Sequence, residues 1–322
     1  TGMLKAQVTT AGMSGKVMAD EESVIGATVV AVHEPSGTSY GTVTNVDGRF
    51  SLQGMRSGGP YKVTVSYIGY QTAIYTDIQL QLGETYSLNV TLHEASELLG
   101  EITITASKSK FSAEKTGATT NISSEQLTTL PSINRSISDF TRISPYASGN
   151  SFGGRDGRSN TFTVDGANLN NNFGLSSGLP GGGNPISLDA IDEVQVVIAP
   201  YDVRQANFIG AGINAITKSG TNAYRGSAYM YFNNEVMRGN KIGDTDFGVR
   251  AEESKTVYGA TFGGPIIKDK LFFFANVEYE KSPQQVITWR AAKEGETPNN
   301  STISRTTEAD LAEFSQILKD KY

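Results

Sequence analysis

Tyr258-Gly-Ala-Thr-Phe-Gly-Gly-Pro-Ile-Ile-Lys-Asp-Lys-Leu-Phe-Phe-Phe-Ala-Asn-Val-Glu-Tyr279 reads as a hairpin. Thr256 to Gly264 and Leu271 to Glu280 have strand length, and a turn through Pro265 and Asp269 joins them. One face of the second run carries Leu271, Phe273, Ala275, Val277 and Tyr279. The other passes from Phe272 and Phe274 to Asn276, Glu278 and Glu280. Strands of about ten residues that alternate apolar and polar suit a β-barrel in an outer membrane. A soluble sandwich has the same period of two, so the preceding chain must decide.

Working outward, Tyr224 to Asn233 repeats the pattern, with Tyr224, Gly226, Ala228, Met230 and Phe232 as its lipid-facing set. On the barrel reading these would be its first three strands, with Asn234 to Ser254 as the first outer loop and the Pro265–Asp269 turn at the opposite rim. Three strands cannot close a barrel, and an open edge is unstable in lipid. The reading therefore expects a longer protein. Leu311, Phe314 and Leu318 in Thr307 to Leu318 share a helical face, which predicts a short outer-loop helix packed on its neighbours.

Composition agrees with strands and turns. Glycine occurs 35 times in 322 residues, and tyrosine and phenylalanine 14 times each. The net charge of −6 and the lack of a Lys/Arg block exclude a nucleic-acid surface. Cysteine is absent, which excludes disulfides, thiolate zinc sites and cysteine nucleophiles. No apolar run is long enough for a transmembrane helix, which a barrel would not need. Residues 1–14 read as a signal-peptide remnant and tail, with cleavage after Ala6 leaving Gln7.

Residues 15–96 alternate with period two between turn signals. Tyr61, Val63 and Val65 form one strand face, Leu88, Val90 and Leu92 another, and Asp47-Gly48 marks a turn between Val43 and Phe50. This spacing predicts a small β-sandwich. Val24 to Val29, Gly41 to Phe50 and Tyr67-Ile-Gly-Tyr70 together resemble the carboxypeptidase-regulatory-like domain, which is not itself a peptidase.

The segment 97–119 holds an extended run and a polar linker. Glu101-Ile102-Thr103-Ile104-Thr105-Ala106 resembles the TonB box of TonB-dependent outer-membrane transporters. The alternative is an ordinary strand ending the sandwich. An extended segment beside a polar linker can pair with a partner's sheet edge through its main chain.

Residues 120–222 are mixed α/β. Ser123 and Gln126 have capping-box spacing before a short helix stopped by Pro131, and a second short helix is expected over Ser136 to Ile143. Thr161 to Asp165 and Val194 to Ile198 read as strands, separated by glycine- and asparagine-rich loops. The block resembles the plug of TonB-dependent transporters, most closely the Oar-like branch. The resemblance rests on Ser151 to Arg155, Phe162 to Ala167, Ile191 to Val196 and Gly210 to Asn222. Gly263-Gly-Pro-Ile-Ile267 matches the first barrel strands of the same family.

The fold expected is thus mainly β: a small β-sandwich, a mixed α/β plug, then the first antiparallel strands of a transmembrane β-barrel over 223–322. The resemblance implies a Gram-negative outer membrane, with sandwich and box in the periplasm and outer loops outside. Ligand binding would expose the box to TonB, a partner that adds as a strand. Outer-membrane lipid, an unidentified extracellular ligand and a surface lipoprotein lid are the other implied partners. Plug loops bearing Asn150, Ser151, Phe152, Arg155, Asn168, Asn170, Asn171, Asn172 and Phe173 would face the ligand. The competing reading is a secreted or surface β-sandwich that binds glycans or adheres without transport.

Enzyme patterns carry little. Gly174-Leu-Ser-Ser-Gly178 matches a nucleophile elbow, yet His33 and His93, the only histidines, precede it. Gly210-Ala-Gly-Ile-Asn-Ala215 matches a dinucleotide loop, but turn residues follow in place of a helix, so close backbone packing explains the glycines better. The histidines read as surface or edge residues, and the Asp-Gly pairs as turns, not calcium loops. No catalytic group, metal or cofactor is expected.

Overall fold

The computed structural model describes residues 9–19, 21–94, 102–105, 118–132, 135–170, 185–200, 205, 208–246, 253–283, 289–298 and 303–321. Its contacts divide the chain into two units, Thr1–Ser227 with Thr261–Asn276, and Ala228–Ala260 with Val277–Tyr322. The protein is mostly β, and among the described residues no helix is long and apolar enough to cross a membrane.

The sandwich is built from β1 (Ala11–Ala19), β2 (Glu22–Ser23), β3 (Thr28–His33), β4 (Thr38–Val43) and β5 (Arg49–Met55). It continues through β6 (Gly58–Ser66), β7 (Ala73–Leu80), β8 (Thr85–Ser87), β9 (Val90–Leu92) and β10 (Ile102–Thr105). One sheet has the order β2-β1-β5, with β8 and β9 also on β1, and the other runs β10-β7-β6-β3-β4. Period-two alternation sets the packing: Val29 and Ala31, Tyr61, Val63 and Val65, and Phe50, Leu52 and Met55 all enter one core. Each buried Val, Leu, Phe or Met among them contributes about 1.5–3 kcal/mol by leaving water.

Two expectations need correction here. β1 begins at Ala11, with Met13 fully buried, so Ala11–Ser14 belong to the sandwich and not to a tail. His33 is no surface or edge group. It is 4% exposed at the end of β3, with its ring 5.0 Å from that of Tyr61 and its Nδ1 2.7 Å from Ser36 Oγ. The inward face of β3 simply continues through it. The Asp47-Gly48 turn forms as expected, Gly48 taking φ 72°, but it carries the chain from one sheet to the other.

The plug sheet comprises β11 (Thr119–Ser123), β14 (Thr161–Val164), β15 (Ala167–Asn168), β16 (Ile191–Val197) and β17 (Gly212–Thr217), in the order β11-β16-β17-β14-β15. A small ribbon of β12 (Ala147–Ser148) and β13 (Ser151–Phe152) lies apart from it. Helix α1 (Ser124–Thr129) starts at the expected capping box, Ser123 and Gln126 exchanging bonds, and gives way at Leu130 before Pro131. Helix α2 (Ile137–Thr141) has a second box, Ser136 with Asp139. Ile137 and Phe140 from α2 pack with Ile122, Phe162, Val194 and Val196 in the plug core.

The sheet order β18 (Arg225–Asn234), β21 (Ser254–Ile267), β22 (Leu271–Lys281) realises the three expected barrel strands. The turn is tighter than expected. Pro265, Ile266 and Ile267 continue β21, and only Lys268–Lys270 turn, Asp269 adopting φ 61°. Asn222 fixes it, its Oδ1 accepting from Asp269 N at 2.9 Å and its Nδ2 donating to Asp269 Oδ1 at 2.7 Å.

In the first unit, the Tyr224 ring stacks on Phe262 at 6.1 Å, Phe273 lies 5.6 Å beyond, and Tyr224 OH donates to Pro265 O. That aromatic row near the turn suits a membrane interface. In the second unit, Tyr229 OH donates to Glu278 Oε2 at 2.8 Å, and Lys255 pairs with Glu280 at 3.0 Å. Val277 and Tyr279, alternating with Glu278, are exposed.

Beyond β18 lie β19 (Lys241–Ile242) paired with β20 (Thr245–Asp246), and farther on β23 (Arg290–Ala292) with β24 (Ile303–Thr307). Helix α3 (Glu308–Lys321) forms where helical periodicity places it, but it buries no residue. Leu311, Phe314 and Leu318 are all exposed, which corrects the expectation of a packed helix.

Candidate partner strand and plug loops

β10 is the described part of the box-like hexapeptide, Glu101 and Ala106 lying outside the described residues. It runs parallel to β7 in unbroken register: Ile102 opposite Ala73, Thr103 opposite Ile74, Ile104 opposite Tyr75, Thr105 opposite Thr76. β7 is held firmly, since Ala73, Tyr75, Ile78 and Leu80 all enter the sandwich core. The segment is therefore a sheet-end strand and a candidate docking strand at once.

β7 leads directly into Leu82, which is fully buried. The plug sheet grips this one peptide from both sides. Leu82 N–H donates to both oxygens of Glu193 on β16, at 3.1 and 3.2 Å. Leu82 O accepts from Gln195 Nε2, and from Asn121 Nδ2 on β11 at 3.4 Å. Asn121 Nδ2 also reaches Glu84 Oε1 at 3.2 Å. Burial pushes the Glu193 carboxyl up to about 7, with the negative charges of Asp192 and Glu84 adding to it. Asp192 is also raised by burial, against the opposing pull of Arg56 and Lys218. No sequence signal marks this clamp, because its halves lie more than a hundred residues apart.

The loop residues separate into two kinds. Asn150, Arg155 and Asn168 are exposed, and Ser151 is half-buried with its hydroxyl donating to Arg155 O. Asn150 O accepts from Asn160 Nδ2 at 2.9 Å, and Asn168 Oδ1 accepts from Asn170 N at 2.8 Å. Phe152, 1% exposed, is a plug-core side chain. Asn170 holds the loop to β14, its Oδ1 accepting from Phe162 N at 2.6 Å. Asn171, Asn172 and Phe173 lie outside the described residues, as does Gly174–Gly178.

A recess lined by Thr161, Thr163, Gln205, Phe208 and Asn214 has about 20 Å³ of free space, enough for a water but not for a ligand. Gly210 and Gly212 precede or open a strand, and a Cβ on either would strike Asn160 or Phe208, so close packing accounts for them. Among the described residues no cluster of His, Asp and Glu could hold a metal ion.

Residues 12–93 match the carboxypeptidase regulatory-like domain, and residues 216–306 the outer membrane β-barrel domain. The TonB-dependent transporter Oar of Myxococcus xanthus is 26% identical over 252 residues, 72% of this chain and 23% of Oar. The chain is thus similar to Oar along most of its length. The barrel match supports an outer-membrane location. Among solved structures, the siderophore receptor PirA from Acinetobacter baumannii matches at 23% identity and TM-score 0.39, over 51% of this chain and 24% of PirA. The outer membrane transporter YddB from Escherichia coli matches at 17% identity and TM-score 0.42, over 54% and 27% of the two chains. These relatives are named as transporters and receptors, not as enzymes. This chain spans only about a quarter of their lengths.

Proposed function

We propose that this chain is the N-terminal part of a TonB-dependent outer-membrane transporter, in which the plug gates a β-barrel and Glu101–Ala106 is the box that pairs with TonB. The observation that carries this reading is order. In this chain a sandwich, a strand-forming Ile-Thr-Ile-Thr segment, a mixed sheet and a three-stranded hairpin sheet follow one another, and the chain is similar over 252 residues to a protein named for TonB-dependent transport. The sandwich and box face the periplasm, the turn at Lys268–Lys270 lies on that side, and the loops after β18 and β22 face outward. The exposed Asn150, Arg155 and Asn168, together with the half-buried Ser151, meet an extracellular ligand, with Phe152 and Asn170 fixing their loops from within. A surface lipoprotein lid would close over the same side.

Replacing Ile104 with proline removes a main-chain donor and should abolish both TonB binding and ligand uptake. Unimpaired uptake would refute the box assignment. A soluble product that never runs as a heat-modifiable barrel would favour the adhesin instead.

A further inference from the structure

We propose that the partner strand docks on the open edge of β10 while β10 stays paired to β7, so that the sandwich presents the box as a preformed strand. The inference rests on the box reading above. β10 is the last strand in the order β10-β7-β6-β3-β4, so among the described residues one of its edges is paired and the other is not. A parallel strand aims the main-chain groups of alternate residues to opposite sides. Ile102–Thr105 therefore offers one set of donors and acceptors to β7 and another outward. Most natural sheet edges are blunted by lysine, proline, a bulge or a covering element. Ile102-Thr-Ile-Thr105 contains no charge and no proline, and its register on β7 has no bulge.

Holding the strand in advance favours addition over exchange. Ordering a free segment costs about 1–2 kcal/mol of backbone entropy per residue, and a strand already fixed on β7 spares the partner that cost. Taking the box off β7 would instead sacrifice the existing pairs. The arrangement also gives a pull somewhere to go. Load on a partner docked to β10 passes in shear to β7, which ends at Leu80, two residues before Leu82, and Leu82 is gripped by Glu193 and Gln195 of β16 and Asn121 of β11. The sandwich is then the joint through which the plug sheet feels the partner.

These 322 residues lack cysteine, so full-length protein carrying Thr76→Cys with Thr105→Cys, or Ala73→Cys with Ile102→Cys, and serine in place of any cysteine outside them, has a single thiol pair across β7 and β10. Mild oxidation should close a bridge in at least one variant. The bridged form should bind the periplasmic domain of TonB within about threefold of its reduced form. A loss of roughly tenfold or more on bridging overturns the proposal, because the partner then needs β10 free of β7. Failure of both pairs to bridge overturns it as well. Reduced protein that does not bind TonB sinks the box reading itself, and the inference with it, whereas a loss confined to the bridged form leaves that reading standing.

Discussion

Replacing Glu193 with glutamine should stabilise the joint between sandwich and plug above neutral pH. In the closed joint the carboxyl accepts Leu82 N–H and titrates at about 7, raised by burial and by Asp192 and Glu84 from an ordinary 4.5. When the joint opens, Glu193 meets water and recovers the ordinary value. The closed form therefore holds the proton more tightly, and its stability is complete below about pH 4.5 and lost as pH rises through about 7. At about 1.4 kcal/mol per pKa unit the loss is on the order of 3.5 kcal/mol at most. Glutamine keeps an acceptor for Leu82 N–H and carries no charge to bury. Hydrogen exchange of the Gln81–Glu84 amides, corrected for intrinsic rate, reads the opening free energy directly. The native protein should lose most of that energy between pH 5 and 8, while the glutamine variant stays flat and is the more protected at pH 8. Parallel profiles, or a glutamine variant less protected at pH 8, would refute the reasoning.

His33 should show the opposite sign. Burial, reinforced by Arg56, lowers it from 6.5 to about 4, so the sandwich loses stability as pH falls through that window; an NMR titration giving a value near 6.5 would contradict the burial. Gly15→Ala should cost on the order of 3 kcal/mol, because its Cβ would lie 1.8 Å from Leu88 O, and protease resistance of the sandwich would report it. Asp165→Ala should cost roughly 2 kcal/mol. It removes the carboxylate that accepts Thr217 N at 2.9 Å and Thr217 OH at 2.7 Å, and faster trypsin cleavage within the plug would reveal the loss.

Local rules reached far into this chain. The hairpin was legible because lipid or core on one side imposes a period of two, and α1 because its capping box is written within four residues. The turn between β21 and β22 was less so. Proline normally signals a turn, yet Pro265 remains in β21, with Tyr224 OH bonded to its carbonyl from outside the hairpin. The resemblance set Phe152 among the ligand-facing loop residues, whereas its side chain fills the plug core. His33 looked isolated in sequence, but its neighbours Tyr61 and Arg56 come from elsewhere. The Leu82 clamp and the seating of β10 on β7 depend on pairings that only the folded chain creates.

The position of β1 bears on how the sandwich assembles. It emerges early yet sits in the middle of its sheet, with β5 on one side and β8 and β9 on the other. Lys16 waits for Arg49, and Val17 for Val90. Pairings this distant in sequence form slowly, since loop closure must precede the contacts that reward it. β1 thus lacks its full set of neighbours until residue 92 has been made, and until then its sheet cannot close around it.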